Sequence, residues 1–190
     1  MVAAPEDRTA RHYRRPWRVD IVTRAGVRSP LAAARIARAV AATLESARAP
    51  EPGSVTIVLT DDAELAELNQ EHMGHDGPTD VLSFPMLEAE MFLRAGTDDA
   101  GAQPQRQIAP LWPRPRTHIG DIAISVERAI GQAAEGRGGQ TGNVRWSAAD
   151  ELWLLVTHGT LHLCGWDHGE PIDEAAMRAL EWRLLSEAAG

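Results

Sequence analysis

The sequence predicts an α/β (α+β) fold, in which a small mixed four-stranded sheet is flanked by about five helices in a single domain. Three observations predict it. Short runs of β-branched residues alternate with longer segments of helical apolar periodicity. The order along the chain is β-α-β-α-β-loop-β-α-α-α, which packs helices on a mixed sheet. The length of 190 residues suits one core and is too short for two.

The first half of the chain contains three predicted strands and two predicted helices. Ser29 is the predicted N-cap of the first helix, with Pro30 in its first turn. Asp61 or Asp62 caps the second helix, and Glu64 is placed for a capping box. In chain order the strands are residues 17–23, 54–60 and 81–84, and the helices are residues 30–49 and 63–72.

The second half contains one more strand and three helices. Ser147 and Asp150 form the N-terminal capping pair of the best marked helix, and Gly165 supplies the left-handed residue that ends it. On the last helix, Ala176, Leu180 and Leu184 are expected on one buried face. The strand is residues 118–125, and the helices are residues 126–137, 148–164 and 171–188.

Two segments lie outside these elements. Residues 1–16 form a predicted flexible, Arg-rich arm, and residues 86–117 form a Gly- and Pro-rich loop inserted into the domain of residues 17–188. Every basic residue is an arginine, and arginine suits phosphate, so local contact with RNA or DNA stays open. A solvated arm is the favoured interpretation. The net charge of −8 argues against a protein that coats nucleic acid through bulk charge.

The composition predicts a cytoplasmic protein. No run of about 18 apolar residues occurs, so no membrane span is expected. The first residues lack the apolar stretch of a secretory signal. The single cysteine, Cys164, rules out an intramolecular disulfide and fits a reducing compartment.

Three histidines at the end of the best marked helix have the spacing of a metal site. His158 and His162 are four residues apart and therefore project from one face of the helix. Gly165 lets the chain reverse, so that His168 can reach the same point. Three imidazoles leave the fourth position of a tetrahedral ion to water, as in catalytic sites. The predicted cofactor is one Zn²⁺ on His158, His162 and His168, with Ni²⁺, Cu²⁺ and Fe²⁺ as alternatives.

Two residues beside these histidines admit two interpretations each. Cys164 points to a different side of the helix, so a small core residue is favoured over a fourth ligand. Asp167 either orients an imidazole and assists with protons, or forms the turn after Gly165. These two interpretations are balanced.

Gly159 occupies the position at which a zinc peptidase of the HExxHxxGxxH type carries its glutamate base. A metal lowers the pKa of bound water towards about 7 without that base, so hydrolysis stays available. What is lost is efficient protonation of an amine leaving group, which peptide hydrolysis needs. A phosphodiester leaving group can be stabilised by a metal, an arginine or another carboxylate. The sequence therefore disfavours a peptidase.

The stretch HGTLHLCGWDH (158–168) resembles the signature of the YbeY family, the bacterial metal-dependent endoribonucleases of rRNA maturation. The resemblance covers most of residues 17–188 and leaves out the arm and the insertion. Further stretches resemble family blocks in the family's order, namely LTDDAELAELN (59–69), GPTDVLSFP (77–85), GDIAIS (120–125) and the acidic helix DEAAMRALE (173–181).

The resemblance implies a single-strand-specific endoribonuclease, with a zinc-type ion on the three histidines. It implies processing of the 3′ end of small-subunit rRNA and a part in ribosome quality control. The implied partners are ribosomal RNA and the small ribosomal subunit, in the cytoplasm, with no membrane and no DNA. One departure stands out, because the aromatic residue and the arginine that follow LNxx in the family are His72 and Met73 here. In the family, that arginine is implicated in RNA cleavage. Here either His72, His75 or a distant arginine supplies the basic group in its place, or nuclease activity is weaker.

Four further residues are weaker candidates. Asp80 and Asp121 are candidates for substrate positioning, although hydrogen bonding of turns or caps is favoured for both. Thr79 and Ser83 either contact phosphate or make local hydrogen bonds. Two alternative functions stay open: a non-catalytic ribosome-assembly factor that binds RNA and protein around a structural metal, and, less favoured, a metallopeptidase-like hydrolase.

Overall fold

The computed structural model describes residues 6–92, 115–136, 146–167 and 169–188, which form five strands, five α-helices and one turn of 3-10 helix (Ala89–Met91). The strands are β1 (Arg8–Arg14), β2 (Trp17–Thr23), β3 (Gly53–Thr60), β4 (Val81–Pro85) and β5 (Thr117–Ser125). The helices are α1 (Ala33–Ser46), α2 (Asp62–Met73), α3 (Val126–Glu135), α4 (Ala148–Leu163) and α5 (Pro171–Ala188). The predicted α/β class is confirmed, with five strands in place of four.

The strands form one mixed sheet in the order β1-β2-β3-β5-β4. β2, β3 and β5 are parallel, and β1 and β4 pair antiparallel at the two edges. On one face, apolar residues of α1 and α4 pack against the buried isoleucines of β2, β3 and β5. On the other face, α2 covers one end of the sheet, where Leu65 packs on Leu82 and Ala123. α4 therefore lies between the sheet and the last helix.

Residues 8–14 belong to the edge strand β1 and are not part of a flexible arm. β1 pairs with β2 along its whole length. Arg11 donates from Nε to Oδ1 of Asp20 on β2 at 2.6 Å, so charge pairing across the strands supports a segment whose arginines suggested solvation. Exposed charges also protect an edge strand from further pairing. Residues 1–5 of the predicted arm and 93–114 of the predicted insertion lie outside the described residues.

Helix α1 begins at Ala33 and not at the predicted Pro30. Ser29 is not its N-cap, because the Ser29 hydroxyl forms a local turn with Leu31. The hydroxyl donates to the Leu31 carbonyl at 2.7 Å and accepts from the Leu31 amide at 3.2 Å. A serine at a turn competes in this way with its role as a cap.

Helix α2 is capped by Asp61, whose side chain accepts a hydrogen bond from the Glu64 amide at 3.0 Å. The predicted capping box does not close. The Glu64 carboxylate instead accepts from Nε of Arg24 on the neighbouring strand end, at 2.8 Å. A charged donor is a stronger partner for a carboxylate than a backbone amide.

Helix α4 has both predicted ends. The Ser147 hydroxyl accepts from the Asp150 amide, and the Asp150 carboxylate accepts from the Ser147 amide at 2.9 Å, which closes a capping box. Gly165 follows the helix with a φ of 74°, in the left-handed region that the sequence predicts.

Helix α5 buries the predicted Leu180 and Leu184, but Met177 takes the place of the predicted Ala176. Met177, Leu180 and Leu184 pack against Leu161 of α4, whereas Ala176 is exposed. Met177 lies three residues before Leu180, and Leu184 lies four residues after it, so these three side chains form one helical stripe and Ala176 lies beside it.

Among the described helices, none is long and apolar enough to cross a membrane.

Candidate metal centre

Gly159 lets α4 lie close to β4 and β5. A Cβ at this position would be 2.9 Å from Cγ2 of Ile122 and 3.0 Å from Cγ2 of Val81. The Gly159 carbonyl also accepts a hydrogen bond from Oγ of Ser83 at 3.0 Å. These contacts set the height and rotation of α4 on the sheet. They therefore also set the positions of the two histidines that this helix carries.

His158 and His162 direct their Nε2 atoms to one point. The two atoms are 3.0 Å apart, and the rings meet edge to face with their centroids 4.5 Å apart. Two imidazole nitrogens bound to one tetrahedral zinc ion, at about 2.0–2.1 Å each, are separated by roughly 3.3 Å. The observed separation is close to that value, so this pair fits a shared ion. The third predicted ligand, His168, lies outside the described residues, among which no cluster of three ligating side chains occurs.

Glu181 of α5 holds the His158 ring from the side opposite to this point. Its Oε1 lies 2.7 Å from Nδ1 of His158, and the residue is only 8% exposed. A neutral His158 that donates its Nδ1–H to this carboxylate has its lone pair on Nε2. This neutral tautomer is the form of histidine that binds a metal through Nε2. A carboxylate behind a metal-ligating histidine is the usual arrangement in zinc sites. The donor set therefore fits a zinc-type ion.

The sequence reasoning missed Glu181, although the sequence carries a signal for it. Glu181 falls within the stripe formed by Met177, Leu180 and Leu184, at helical spacing. A carboxylate inside an apolar stripe is stable only with a buried partner, and here that partner is a histidine of α4.

We expect Glu181→Gln to weaken metal binding by about 10–100-fold, because an amide stabilises the metal-binding form of His158 less than a carboxylate does. The measurement is competition with a chromophoric zinc chelator near neutral pH. Glu187→Gln, at an exposed position of the same helix, serves as the control and should bind metal as the wild type does. Equal affinities for the wild type and Glu181→Gln would show that the carboxylate does not tune His158.

An open cleft of about 420 Å³ adjoins the histidine pair. Asp80 lines the cleft, but its carboxylate holds the turn before β4: Oδ1 accepts from the Val81 amide at 2.8 Å, and Oδ2 accepts from Nε2 of Gln132 at 2.9 Å. The structure thus brings Asp80 near the histidines in a structural hydrogen-bonding role. The described lining residues are Met73, Thr79, Asp80, Val81, Leu82, Ser83, Pro85, His158 and His162.

Asp121 does not lie in this cleft. It follows Gly120 on β5 and precedes Ile122, which faces α4. Alternation along the strand directs Asp121 to the opposite face of the sheet. There its Oδ1 lies 2.9 Å from Nε2 of His118. The structure does not bring Asp121 together with the histidines of α4.

Cys164 and Asp167 follow α4 and have different surroundings. Cys164 is buried in the main apolar core, and this burial raises the pKa of its thiol to about 12. The thiol stays protonated at neutral pH, and Cys164 is the small core residue that the sequence predicts. Asp167 is exposed in the turn that follows Gly165, and its role beside His168 stays a prediction.

Of the two residues that depart from the family pattern, Met73 lines the cleft and His72 does not. Met73, the last residue of α2, is 44% exposed and lines the cleft. His72 packs edge to face on Phe84, with ring centroids 5.1 Å apart. His75 is exposed just beyond the end of α2. Among the described residues that line the cleft, none is an arginine.

A family model described as Endoribonuclease YbeY matches residues 23–189 of the chain. A Roseiflexus castenholzii protein named Endoribonuclease YbeY is 41% identical over 151 residues, which are 79% of each chain. A Micrococcus luteus protein of the same name is 38% identical over 173 residues, or 90% of this chain and 92% of its own. The solution structure of a Thermotoga maritima protein matches 90% of this chain and 88% of its own with a TM-score of 0.53. At 23% identity, this last likeness supports the fold alone.

Proposed function

The chain belongs to the endoribonuclease YbeY family, and from this premise we propose that it is a metal-dependent endoribonuclease of rRNA maturation. We propose the 3′ end of small-subunit rRNA as its substrate. One observation carries the metal-dependent part of this proposal: the Nε2 atoms of His158 and His162 converge to 3.0 Å at the edge of an open cleft.

We propose His158, His162 and His168 as the ligands of a zinc-type ion. Such an ion supplies Lewis-acid chemistry for phosphodiester hydrolysis, and it is a direct source of positive charge in a cleft whose described lining lacks arginine. Glu181, whose Oε1 lies 2.7 Å from Nδ1 of His158, would accept the Nδ1–H of a neutral ring and keep that ring in its ligating orientation. Asp80 and Ser83 maintain the wall of the cleft through their hydrogen bonds to the backbone.

The contacts of Gly159 argue against the peptidase alternative. A Cβ at this position would lie 2.9 Å from Cγ2 of Ile122 and 3.0 Å from Cγ2 of Val81, so a glutamate base there would have to displace the packing of α4 on the sheet. The proposal of phosphodiester chemistry does not need that base. A metal and the surrounding polar groups can stabilise the leaving oxygen.

We also propose a cytoplasmic location, with ribosomal RNA and the small ribosomal subunit as partners and a contribution to ribosome quality control. The family supports these assignments, together with a composition that has one buried cysteine and a net charge of −8. An acidic protein does not bind RNA through bulk charge, so specific contacts have to guide it to its substrate.

The proposal predicts that RNA cleavage depends on a bound metal. Protein that has been treated with a chelator and dialysed should lose cleavage of a single-stranded rRNA fragment, and added Zn²⁺ should restore it. Parallel additions of Ni²⁺ and Fe²⁺ rank the alternative metals. Cleavage products are mapped by gel electrophoresis, and thermal unfolding shows that the metal-free protein stays folded. Equal cleavage with and without metal would contradict metal dependence, whereas folded, metal-loaded protein without cleavage would favour the assembly-factor alternative.

A further inference from the structure

An exposed tryptophan follows the glutamate that holds His158. Trp182 on α5 is 48% exposed, although large aromatic side chains are mostly buried. Its ring meets that of Trp146 at an interplanar angle of 61°, with centroids 6.3 Å apart. The two indoles therefore join α5 to the segment before α4, and about half of the Trp182 surface is open to solvent.

Trp146 is in turn anchored to the helix that carries the histidines. Its Nε1 donates a hydrogen bond to Oε2 of Glu151, a buried residue in the first turn of α4. Glu151 and His158 lie two turns apart on one face of α4, which corresponds to about 10 Å along the axis. The indole pair is thus close enough to the metal centre for neighbouring nucleotides of one strand to reach both.

Arg178 lies one turn before Trp182 on the same helix. It lines, with His158 and Glu181, a groove of about 240 Å³ between α4 and α5. Its side chain is 69% exposed and pairs with Glu174 at 2.5 Å. An exposed pair of this kind contributes little and exchanges readily for a phosphate, which suits the planar guanidinium better.

From this arrangement we infer that Arg178 and Trp182 form a nucleotide subsite beside the metal centre. The base of a nucleotide next to the scissile one stacks on Trp182, and its phosphate pairs with Arg178. Trp146 is a positioning residue that holds the Trp182 ring. The inference rests on the proposed function, because it assumes an RNA substrate. Stacking is tolerant of sequence, and it supplies affinity that a chain of net charge −8 does not gain from bulk charge.

The test is the binding of a dye-labelled single-stranded RNA to the metal-loaded protein, measured by fluorescence anisotropy with intact RNA verified on a gel. Trp182→Ala should raise Kd by about tenfold, within the range of base–aromatic stacking, and Trp182→Phe should retain most of the affinity. Arg178→Ala should also raise Kd, and this increase should become smaller as salt is added. The increase in Kd caused by Trp182→Ala should persist at high salt. Ile172→Ala, at an 83% exposed position of the same helix, is the matched control and should bind as the wild type does.

A second measurement locates the stacked base. Single abasic nucleotides are placed along the RNA. At one position, the abasic nucleotide should raise the Kd of the wild type by about the same factor as Trp182→Ala does. The same abasic RNA should not raise the Kd of the Trp182→Ala protein any further. Thermal unfolding shows that each variant is folded. If the wild type binds and cleaves RNA and Trp182→Ala binds equally well, the subsite is wrong and the proposed function stands. If the wild type neither binds nor cleaves RNA, both are wrong.

Discussion

His158→Ala is expected to reduce RNA cleavage by on the order of a thousandfold, because it removes a predicted metal ligand and so the Lewis acid of the proposed reaction. Metal affinity should fall in parallel. The substitution also leaves Glu181, which is 8% exposed, without its imidazole partner. We therefore expect a loss of about 1–3 kcal/mol in the free energy of unfolding, which is small enough to leave the variant folded.

The measurement compares cleavage rates of wild type and variant on one rRNA fragment at saturating metal, together with a urea titration. His118→Ala is a matched control, since His118 also lies beside a carboxylate, with its Nε2 2.9 Å from Oδ1 of Asp121 on the opposite sheet face. His118→Ala should cleave as the wild type does, because His118 lies away from the histidines of α4. A folded His158→Ala protein that cleaves at the wild-type rate would rule out this histidine as a catalytic ligand.

The features that could be predicted from the sequence depend on short-range spacing. The capping box of Ser147 and Asp150 joins residues three apart, and the common face of His158 and His162 follows from a separation of four. Gly165 in a left-handed conformation ends the same helix. Each of these features is decided within one or two helical turns, so a sequence pattern is enough to predict it.

The features that were missed depend on partners that are distant in the chain. β1 is a strand because Arg11 and its neighbours pair with β2, and composition alone had suggested an arm. Glu181 reaches His158 across 23 residues of sequence, through the packing of α5 on α4. Trp146 and Trp182 likewise meet only in the folded chain. The composition of a segment describes that segment alone, whereas each of these contacts joins two segments that are distant in the sequence.

Gly159→Glu, which converts the histidine helix to the HExxH pattern of a zinc peptidase, is expected to lower the free energy of unfolding by about 4 kcal/mol or more. A Cβ at this position would lie 2.9 Å from Ile122 and 3.0 Å from Val81. Both contacts are with Cγ2 methyl groups on β-branched residues, which cannot rotate away cheaply. The remaining atoms of glutamate would bury an unpaired carboxylate between α4 and the sheet. No peptidase activity should appear.

The matched control is Gly131, a glycine inside α3 at which a Cβ would meet nothing within 4 Å. Gly131→Ala should raise the free energy of unfolding by about 0.5–1 kcal/mol through helix propensity, and Gly131→Glu should leave it nearly unchanged or higher. Gly159→Ala gains the same helix propensity, but its free energy of unfolding should be about 1–3 kcal/mol lower than that of Gly131→Ala, because the added methyl group overpacks the interface with the sheet. Urea titrations followed by circular dichroism measure all four variants. Equal stabilities at the two positions would show that Gly159 is not a packing requirement. The expected difference would mean that the glycine brings α4 close to the sheet, and that close packing disfavours a base at this position of the proposed metal centre.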